Sequence, residues 1–288
     1  MSDDLAPAPS RSELVNLAHE IQGDGEPVLL VAGTGYAGCT WAPEFVSALA
    51  ERYTVITFDH RGTGKSPSSD GRYTTRLFAA DALLLLDRLG CGPAHVLGHS
   101  MGGRVAQWMA VDRPEQVADL ILVATGAGQP VGGHEWQDCV PVNVALGLGK
   151  LGYRQFVNNI QRTSFFTDRF AEEHPEVVQW LGDAYWSGRP ELPDYLKHVV
   201  ARQAHRTRDV LDRITQPALV TVGSADTHVG GTGSHVDQSR YLAAQLPNAW
   251  FELIDGAKHG IFWENTDAIV ALVRQWLVSY PLGDPARA

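Results

Sequence analysis

One serine in the chain has the surroundings of an activated nucleophile. Ser100 lies in a Gly-His-Ser-Met-Gly sequence, after an apolar run at residues 94–97 and before a helical pattern at residues 104–112. Glycine-x-serine-x-glycine between a strand and a helix is typical of a tight turn that exposes the serine hydroxyl at the helix N-terminus, where amide dipoles favour negative charge. The pattern predicts that Ser100 attacks a carbonyl carbon. The structural alternative is a glycine-rich turn that only needs a small residue.

A serine hydroxyl is a weak nucleophile, so a base must accept its proton and a third group must orient that base. His259 follows the last predicted strand, in a Gly-Ala-Lys-His-Gly loop, and Asp226 follows the strand predicted at residues 218–222. Both therefore fall at the carboxyl ends of strands. The order Ser, Asp, His is the one that belongs to this kind of strand-turn-helix nucleophile. We predict that Ser100 is the nucleophile, His259 the base and Asp226 the acid that orients it.

Other residues compete for these roles less well. Asp237 could simply cap a helix that begins near Ser239, and Asp255 is too close in sequence to His259 to reach its ring easily. His99 neighbours the serine, but its side chain should point away from the exposed face of the turn. We expect His99 to pack behind the site or to support it.

The oxyanion formed at the carbonyl needs two hydrogen-bond donors, which backbone amides supply. One should be the amide of Met101, and the other that of Thr34, in the Gly-Thr-Gly loop after the strand at residues 28–32. Phosphate binding by this loop is excluded because the glycine spacing of a dinucleotide fingerprint is absent. The Gly-Lys-Ser sequence at residues 64–66 also fails as a P-loop, because Asp59 stands where the earlier glycine is required.

Composition limits the partners that fit this chain. Its 288 residues carry a formal net charge of −10 without a large basic cluster, which disfavours nucleic acids and anionic membranes. No apolar run approaches a membrane span, and residues 1–11 lack the apolar core of a signal peptide. Three widely spaced cysteines predict neither a disulfide framework nor a metal site. We expect a cytoplasmic protein with a disordered tail at residues 1–12, a small-molecule substrate and no cofactor or metal, with homodimer formation left open.

The elements that must position these residues alternate between apolar runs of strand length and amphipathic segments of helix length. Further strands are predicted at residues 53–58, 120–124 and 250–254, and further helices at residues 74–89 and 268–278. Such alternation predicts an α/β fold with a mostly parallel sheet that helices cover on both faces. Ligands of these sheets bind outside the carboxyl ends of the strands, where the candidate residues lie.

The alternation stops between residues 125 and 213, where the pattern is helical and rich in large aromatic side chains. One long excursion between two strands should fold as a helical cap over the strand ends. We therefore predict a core of residues 13–124 and 214–288 and an inserted cap of residues 125–213. Most cap aromatics should form the core of the cap, and a minority should line the pocket. The predicted substrate contacts are Gly33, Gly35, Trp136, Phe165, Trp186 and His228.

With these motifs placed, the chain resembles the α/β-hydrolase fold superfamily over nearly its whole length. The matching segments are the oxyanion loop, an Asp-His-Arg-Gly-Thr-Gly-Lys-Ser loop at residues 59–66, a Gly-His-Ser-Met-Gly-Gly turn at residues 98–103, and the acid and histidine loops at residues 223–226 and 256–260. Within the superfamily the chain is similar to small capped bacterial hydrolases, among them 3-oxoadipate enol-lactonases, aminoacrylate hydrolases, polyketide methyl esterases and carbon–carbon bond hydrolases. The resemblance implies the fold and the Ser-His-Asp triad but specifies no substrate.

The chain departs from the family pattern in two places. Ala32 stands where many members have a histidine, so other groups must supply that histidine's hydrogen bonds under the oxyanion loop. The segment at residues 227–237 is glycine-rich, longer than usual and lacks the common Val-Pro, which would bring His228 or His235 to the pocket rim. Serine at position 100, instead of aspartate, argues against dehalogenases and epoxide hydrolases.

The sequence therefore predicts a serine hydrolase that cleaves a small, partly apolar carboxylic ester or lactone through an acyl-enzyme. One alternative is hydrolysis of a carbon–carbon bond in a vinylogous diketone, with Arg104, Arg202 or Arg206 binding a substrate carboxylate. Haloperoxidase or perhydrolase activity without a cofactor would use the same site. A non-catalytic ligand-binding protein of this fold is the alternative from another class, and the intact triad disfavours it.

Overall fold

A seven-stranded sheet forms the centre of the structure, a computed structural model that describes residues 8–128, 140–226, 229–230 and 233–282. The strands of this sheet are β1 (His19–Gln22), β2 (Glu26–Val31), β3 (Tyr53–Phe58), β4 (Ala94–His99), β5 (Val117–Val123), β6 (Ala218–Gly223) and β9 (Ala249–Ile254), while β7 (Val229–Gly230) and β8 (Gly233–Ser234) form a separate antiparallel ribbon. The order across the sheet is β1-β3-β2-β4-β5-β6-β9. All neighbouring strands are parallel except β1 and β3. The predicted mostly parallel sheet is confirmed.

Helices cover both faces of this sheet. They are α1 (Pro43–Ala50), α2 (Thr75–Leu89), α3 (Met101–Asp112), α8 (His235–Gln245), α9 (Ile261–Glu264) and α10 (Thr266–Ser279). Successive side chains of a strand point to opposite faces. In β2, Leu29 and Val31 pack into the core formed with α2, α3 and α8, whereas Val28 and Leu30 pack into the core formed with α1 and α10. A strand buried on both faces has to be continuously apolar, which is why these strands could be located in the sequence.

The ends of several elements differ from the sequence prediction. Helix α3 begins at Met101, directly after the serine, and not at residue 104. Helix α8 begins at His235 and is capped by Ser234, whose hydroxyl accepts from the Asp237 amide. Asp237 is thus inside the first turn of a helix that starts earlier than the predicted Ser239.

Helices also fill the connection between β5 and β6. They are α4 (Val142–Ile160), which is interrupted at Gly152, a π-helical turn (Gln161–Phe165), α5 (Asp168–Glu173), α6 (Pro175–Gly188) and α7 (Leu192–Ala204). The division into core and cap at residues 125 and 213 stays a prediction. In the described ranges, no helix is both long and apolar enough to cross a membrane.

The π-helical turn is joined to the loop before α9 by main-chain hydrogen bonds. The amide of His259 donates to the carbonyl of Ser164 over 3.2 Å, and the amide of Gly260 donates to the carbonyl of Phe165 over 2.8 Å. The side chain of Phe165 also packs on the His259 ring, with ring centroids 5.2 Å apart. The helical insertion therefore contacts the candidate base directly.

Candidate active site

Ser100 occupies the single position between β4 and α3. Its backbone has φ 57° and ψ −116°, a conformation that residues other than glycine rarely adopt. Hydrogen bonds hold it there: the Ser100 amide donates to the carbonyl of Val123 over 2.9 Å, and the Thr125 hydroxyl donates to the carbonyl of Ser100 over 2.7 Å. Such strain persists only where the surrounding structure fixes it, and it is common at functional sites.

Two glycines allow this turn because a side chain at either position would collide with neighbouring main-chain atoms. A Cβ atom at Gly98 would lie 2.4 Å from the carbonyl oxygen of Gly102, and one at Gly102 would lie 1.9 Å from the carbonyl oxygen of Val31. Both obstacles are main-chain atoms, which cannot rotate away as a side chain can. The turn at Ser100 therefore requires glycine at both positions.

Ser100 lines a cavity of about 560 Å³, a size typical of small-molecule sites. His259, Gly33 and Thr34 also line this cavity. Four aromatic residues of the helical connection line it as well: Phe156, Phe165, Tyr185 and Tyr195. The structure thus brings Ser100, His259 and the predicted oxyanion loop to one cavity, whose wall is partly aromatic and partly polar.

His259 and Asp226 form a buried hydrogen-bonded pair. Nδ1 of His259 lies 2.7 Å from Oδ2 of Asp226, and the two residues are 7% and 1% exposed. Burial alone would raise the pKa of Asp226, but the charge of His259 and the hydrogen bonds from His235 and His259 outweigh it and hold that pKa below its usual range. Because an ionised carboxylate can only accept, Nδ1 of His259 carries the proton and Nε2 is the proton acceptor.

A second histidine contacts the same carboxylate. Nδ1 of His235 lies 2.9 Å from Oδ1 of Asp226, and the His235 ring stacks on the His259 ring with centroids 4.4 Å apart. Burial, followed by the charge of His259, lowers the pKa of His235 to about 4, so this ring is neutral at neutral pH. Asp226 therefore accepts one hydrogen bond on each oxygen.

These three residues also have the composition of a metal site, with possible ligand atoms within 4.8 Å of one another. Nitrogen and oxygen ligands of tetrahedral zinc lie about 2.0–2.2 Å from the ion and hence about 3.3 Å from each other. The distances from Asp226 to His259 and His235, 2.7 and 2.9 Å, are shorter than that. The spacing fits direct hydrogen bonds, and we assign no metal to the cluster.

His99 supports the histidine loop from the nucleophile strand. Its Nε2 donates to the carbonyl oxygen of His259 over 3.1 Å, and the two rings lie 4.6 Å apart. Burial, followed by the charge of His259, lowers the pKa of His99 well below its usual value. His99 packs against the site, and it also lines the cavity beside Ser100.

The Gly-Thr-Gly loop lies against the serine. A Cβ atom at Gly33 would be 3.5 Å from Cβ of Ser100, so the loop approaches the nucleophile as closely as a glycine permits. The Thr34 hydroxyl is buried and has no hydrogen-bond partner among the described residues. Met101 is fully buried, and its amide belongs to the first residue of α3. The use of the Thr34 and Met101 amides as an oxyanion hole stays a prediction.

His60 supplies a hydrogen bond where the family's usual histidine is replaced by Ala32. Its Nε2 lies 3.0 Å from the carbonyl oxygen of Ala32, directly before the oxyanion loop. Burial lowers the pKa of His60 to about 4, so its ring is a neutral donor. The next residue, Arg61, fixes this segment through two 2.7 Å bonds to the buried carboxylate of Asp81. This support could not be located in the sequence because position 60 is distant from position 32.

The predicted substrate contacts divide into three groups. Gly33 and Phe165 line the cavity. Gly35 does not, because Tyr195 and Tyr185 cover it: a Cβ atom there would be 3.0 Å from the Tyr195 ring and 3.3 Å from the Tyr185 hydroxyl. Trp136 and His228 lie outside the described residues.

Trp186, also predicted as a substrate contact, does not line the cavity of Ser100. Its indole nitrogen donates to Asn158 over 2.8 Å, and its side chain lines a second, smaller cavity. The reason is helical phase. Successive residues of a helix point about 100° apart, so Tyr185 faces the cavity of Ser100 and its neighbour faces away.

Comparisons with known proteins agree with this fold. The chain belongs to the alpha/beta hydrolase fold family, whose model matches residues 26–266. It is 30% identical over 236 residues to the proposed carbamate hydrolase RutD of Caulobacter vibrioides, which covers 82% of this chain and 84% of that protein. It is 44% identical over 113 residues to the proposed non-heme bromoperoxidase BpoC of Mycobacterium tuberculosis, a match that spans 39% of this chain and only 43% of BpoC.

The same fold is found in a solved structure. The enol-lactonase from Burkholderia xenovorans LB400 superimposes with a TM-score of 0.78 at 26% identity, over 92% of this chain and 97% of that one. The resemblance to the superfamily, inferred above from five short motifs, is confirmed.

Proposed function

We propose that this protein is a serine hydrolase that cleaves a small, partly apolar carboxylic ester or lactone through an acyl-enzyme. The observation that carries the proposal is the placement of a strained Ser100 and an Asp226-bonded His259 on the wall of one cavity. Relatives named carbamate hydrolase and enol-lactonase support hydrolysis of a carbonyl compound.

In this mechanism the hydroxyl of Ser100 attacks the substrate carbonyl while Nε2 of His259 takes its proton. The amides of Met101 and Thr34 stabilise the oxyanion, an interaction worth about 3 kcal/mol for each donor. The imidazolium of His259, held by Asp226, then protonates the leaving oxygen. Water activated by His259 attacks the acyl-enzyme, releasing the acid and restoring the serine.

The cavity limits the substrate. A volume of about 560 Å³ with aromatic walls accommodates a short ester or a small lactone ring. Phe165 and Tyr185 of the helical insertion form part of the wall.

A fluorophosphonate probe tests the nucleophile directly. We expect one adduct in the intact mass of the native protein and none in Ser100→Ala. Ser164 lines the same cavity, so Ser164→Ala is the matched control and should still be labelled. Absence of an adduct on folded native protein, or an adduct that persists in Ser100→Ala, would refute the assignment. A panel of 4-nitrophenyl esters and five- and six-membered lactones then tests turnover.

Carbon–carbon bond hydrolysis is the second candidate, because two of the three arginines considered in the sequence, Arg104 and Arg202, line the cavity. It uses the same triad. Turnover of a vinylogous diketone, followed by loss of its absorbance, at a higher kcat/KM than any ester or lactone would make it the primary activity.

A further inference from the structure

The amide of Thr34 can serve as an oxyanion donor only if its direction is fixed. The carbonyl and the N–H of one trans peptide point in opposite directions, so the carbonyl of Gly33 determines where the amide of Thr34 points. That carbonyl accepts from the amide of Tyr36 over 3.2 Å. The preceding peptide, between Ala32 and Gly33, must be held as well, because the main chain of a glycine adopts many conformations.

His60 holds this preceding peptide. Its Nε2 donates to the carbonyl oxygen of Ala32 over 3.0 Å, and the residue is 1% exposed. Ala32 directly follows β2, and a Cβ atom at the next residue, Gly33, would lie 3.5 Å from Cβ of Ser100. The bond therefore acts on the main chain at the point where it passes from the sheet to the nucleophile.

The side chain and the main chain of His60 are both held in place. Phe58 and Phe78 pack on its ring with centroids 5.0 and 5.1 Å away, and His198 of α7 packs on it at 6.1 Å. The carbonyl of His60 accepts from the amide and the hydroxyl of Thr63, over 2.9 and 2.8 Å. The donor that Nε2 presents to the oxyanion loop thus has a fixed position.

The aromatic pocket around this ring does not by itself require a histidine. A neutral imidazole carries a second nitrogen, and Nδ1 of His60 is buried without a hydrogen-bond partner among the described residues. Leaving a buried acceptor unpaired costs stability, so an apolar side chain of similar size would fill the pocket at lower cost. What the imidazole adds among the described contacts is the bond from Nε2 to Ala32.

We propose that His60 is a positioning residue for the oxyanion loop: its bond to Ala32 keeps the Thr34 amide aimed at the oxyanion that forms at Ser100. This inference rests on the serine hydrolase function proposed above and adds one residue to its machinery. His60 does not line the cavity, so it acts through the main chain of residues 32–34 and not by touching the substrate.

Two substitutions separate the hydrogen bond from the volume of the side chain. His60→Leu fills the aromatic pocket without a donor, and His60→Met does the same if the leucine variant fails to fold. His60→Gln keeps an N–H group at a similar reach. A misplaced oxyanion donor slows only the transition state, so we expect His60→Leu to lower kcat and kcat/KM for 4-nitrophenyl butyrate equally, by about 10- to 100-fold. His60→Gln should stay within about 3-fold of the native protein, because the bond is kept.

A thiono ester gives a readout that a merely structural role would not change. O-(4-nitrophenyl) thionobutyrate places sulfur, a weaker hydrogen-bond acceptor, where the oxyanion would form. The native protein should prefer the oxygen ester, and this preference should fall in His60→Leu. An equal loss on both esters would overturn the proposal. His19→Leu is the matched control, because His19 also bonds a main-chain carbonyl, that of Leu17 over 3.2 Å, but lies on the exposed strand β1. It should leave both rates unchanged.

Hydrogen exchange needs no turnover and separates this inference from the proposed function. The amides of residues 33–36 should exchange faster in His60→Leu than in the native protein or in His60→Gln, because the loop opens more easily without its bond. Native exchange and a native rate of phosphonylation in His60→Leu would overturn the role of His60 and leave the serine hydrolase intact. A native protein that forms no fluorophosphonate adduct would overturn the proposed function, and the exchange rates would still decide whether His60 holds the loop.

Discussion

Substituting Gly102 by alanine should displace the nucleophile turn and slow the reaction of Ser100. The added Cβ would lie 1.9 Å from the carbonyl oxygen of Val31 and 2.8 Å from that of Ala32. Real contacts of this kind are at least about 3 Å, so α3 and β2 must separate by about 1 Å. This movement separates the Met101 amide, on α3, from the Thr34 amide, which follows β2.

The magnitude follows from that displacement. A misplacement of about 1 Å lowers rates by about 100-fold, and overpacking of this kind costs about 1–3 kcal/mol of unfolding free energy. We expect Gly102→Ala to react with a fluorophosphonate about 100-fold more slowly than the native protein and to unfold at lower urea concentration. Both measurements use the whole chain and require no knowledge of the substrate.

Gly149 provides the opposite control. It lies within α4, and a Cβ atom there would meet nothing within 4 Å. Alanine in a helix is more stable than glycine by about 0.5–1 kcal/mol, so Gly149→Ala should be slightly stabilised and react at the native rate. If Gly102→Ala retained native reactivity and stability, the close approach of α3 to Val31 would not be what fixes the turn.

Two further predictions concern buried histidines. Burial, followed by the charge of a neighbouring histidine, lowers the pKa of His198 to about 3. Below about pH 6.5 the unfolded chain therefore binds a proton at this residue, whereas the native protein does not. The free energy of unfolding measured in urea should fall by about 2 kcal/mol between pH 7 and pH 5 because of His198. His198→Gln should flatten that pH dependence, whereas His174→Gln, at an exposed site, should not. His235→Phe keeps a ring against His259 but removes the donor to Asp226, so we expect slower phosphonylation and about 1.5–3 kcal/mol less stability. A native rate in that variant would mean that Asp226 needs only one donor.

The parallel strands could be predicted from sequence because burial on both faces leaves an uninterrupted apolar run. The prediction for residues 53–58 coincides with β3. Strand β1 was not predicted, because its four residues, His19–Gln22, are all exposed and mostly polar. It is an edge strand that owes its structure to antiparallel pairing with β3, and such pairing leaves no periodic signal in so short a segment.

The start of α3 shows a different limit. Met101 is followed by two glycines, which have low helix propensity, so the pattern alone favours a helix from Arg104. In the structure the helix nevertheless begins at Met101. Gly102 packs against the carbonyl of Val31 and Gly103 against the side chain of Thr125, so only glycine fits at these two helical positions. Tertiary packing therefore overrides local propensity at the position that matters most for the serine.

Within the site, residues in recognisable motifs could be proposed from the sequence, and residues placed by tertiary structure could not. Ser100, Asp226 and His259 each follow a strand, and a common sheet edge brings such positions together. Trp186 and Tyr185 are adjacent in sequence, so composition could not decide which one faces the cavity. His235 had one signal, the long glycine-rich segment before it, and His60 had none.

The two main-chain bonds from His259 and Gly260 to Ser164 and Phe165 tie the helical insertion to the loop that carries the candidate base. A rigid-body movement of the π-helical turn away from the sheet would either break both main-chain hydrogen bonds or draw the His259 imidazole away from Asp226. Exchange of the helical insertion between related proteins would have to carry residues 161–165 along with the histidine loop.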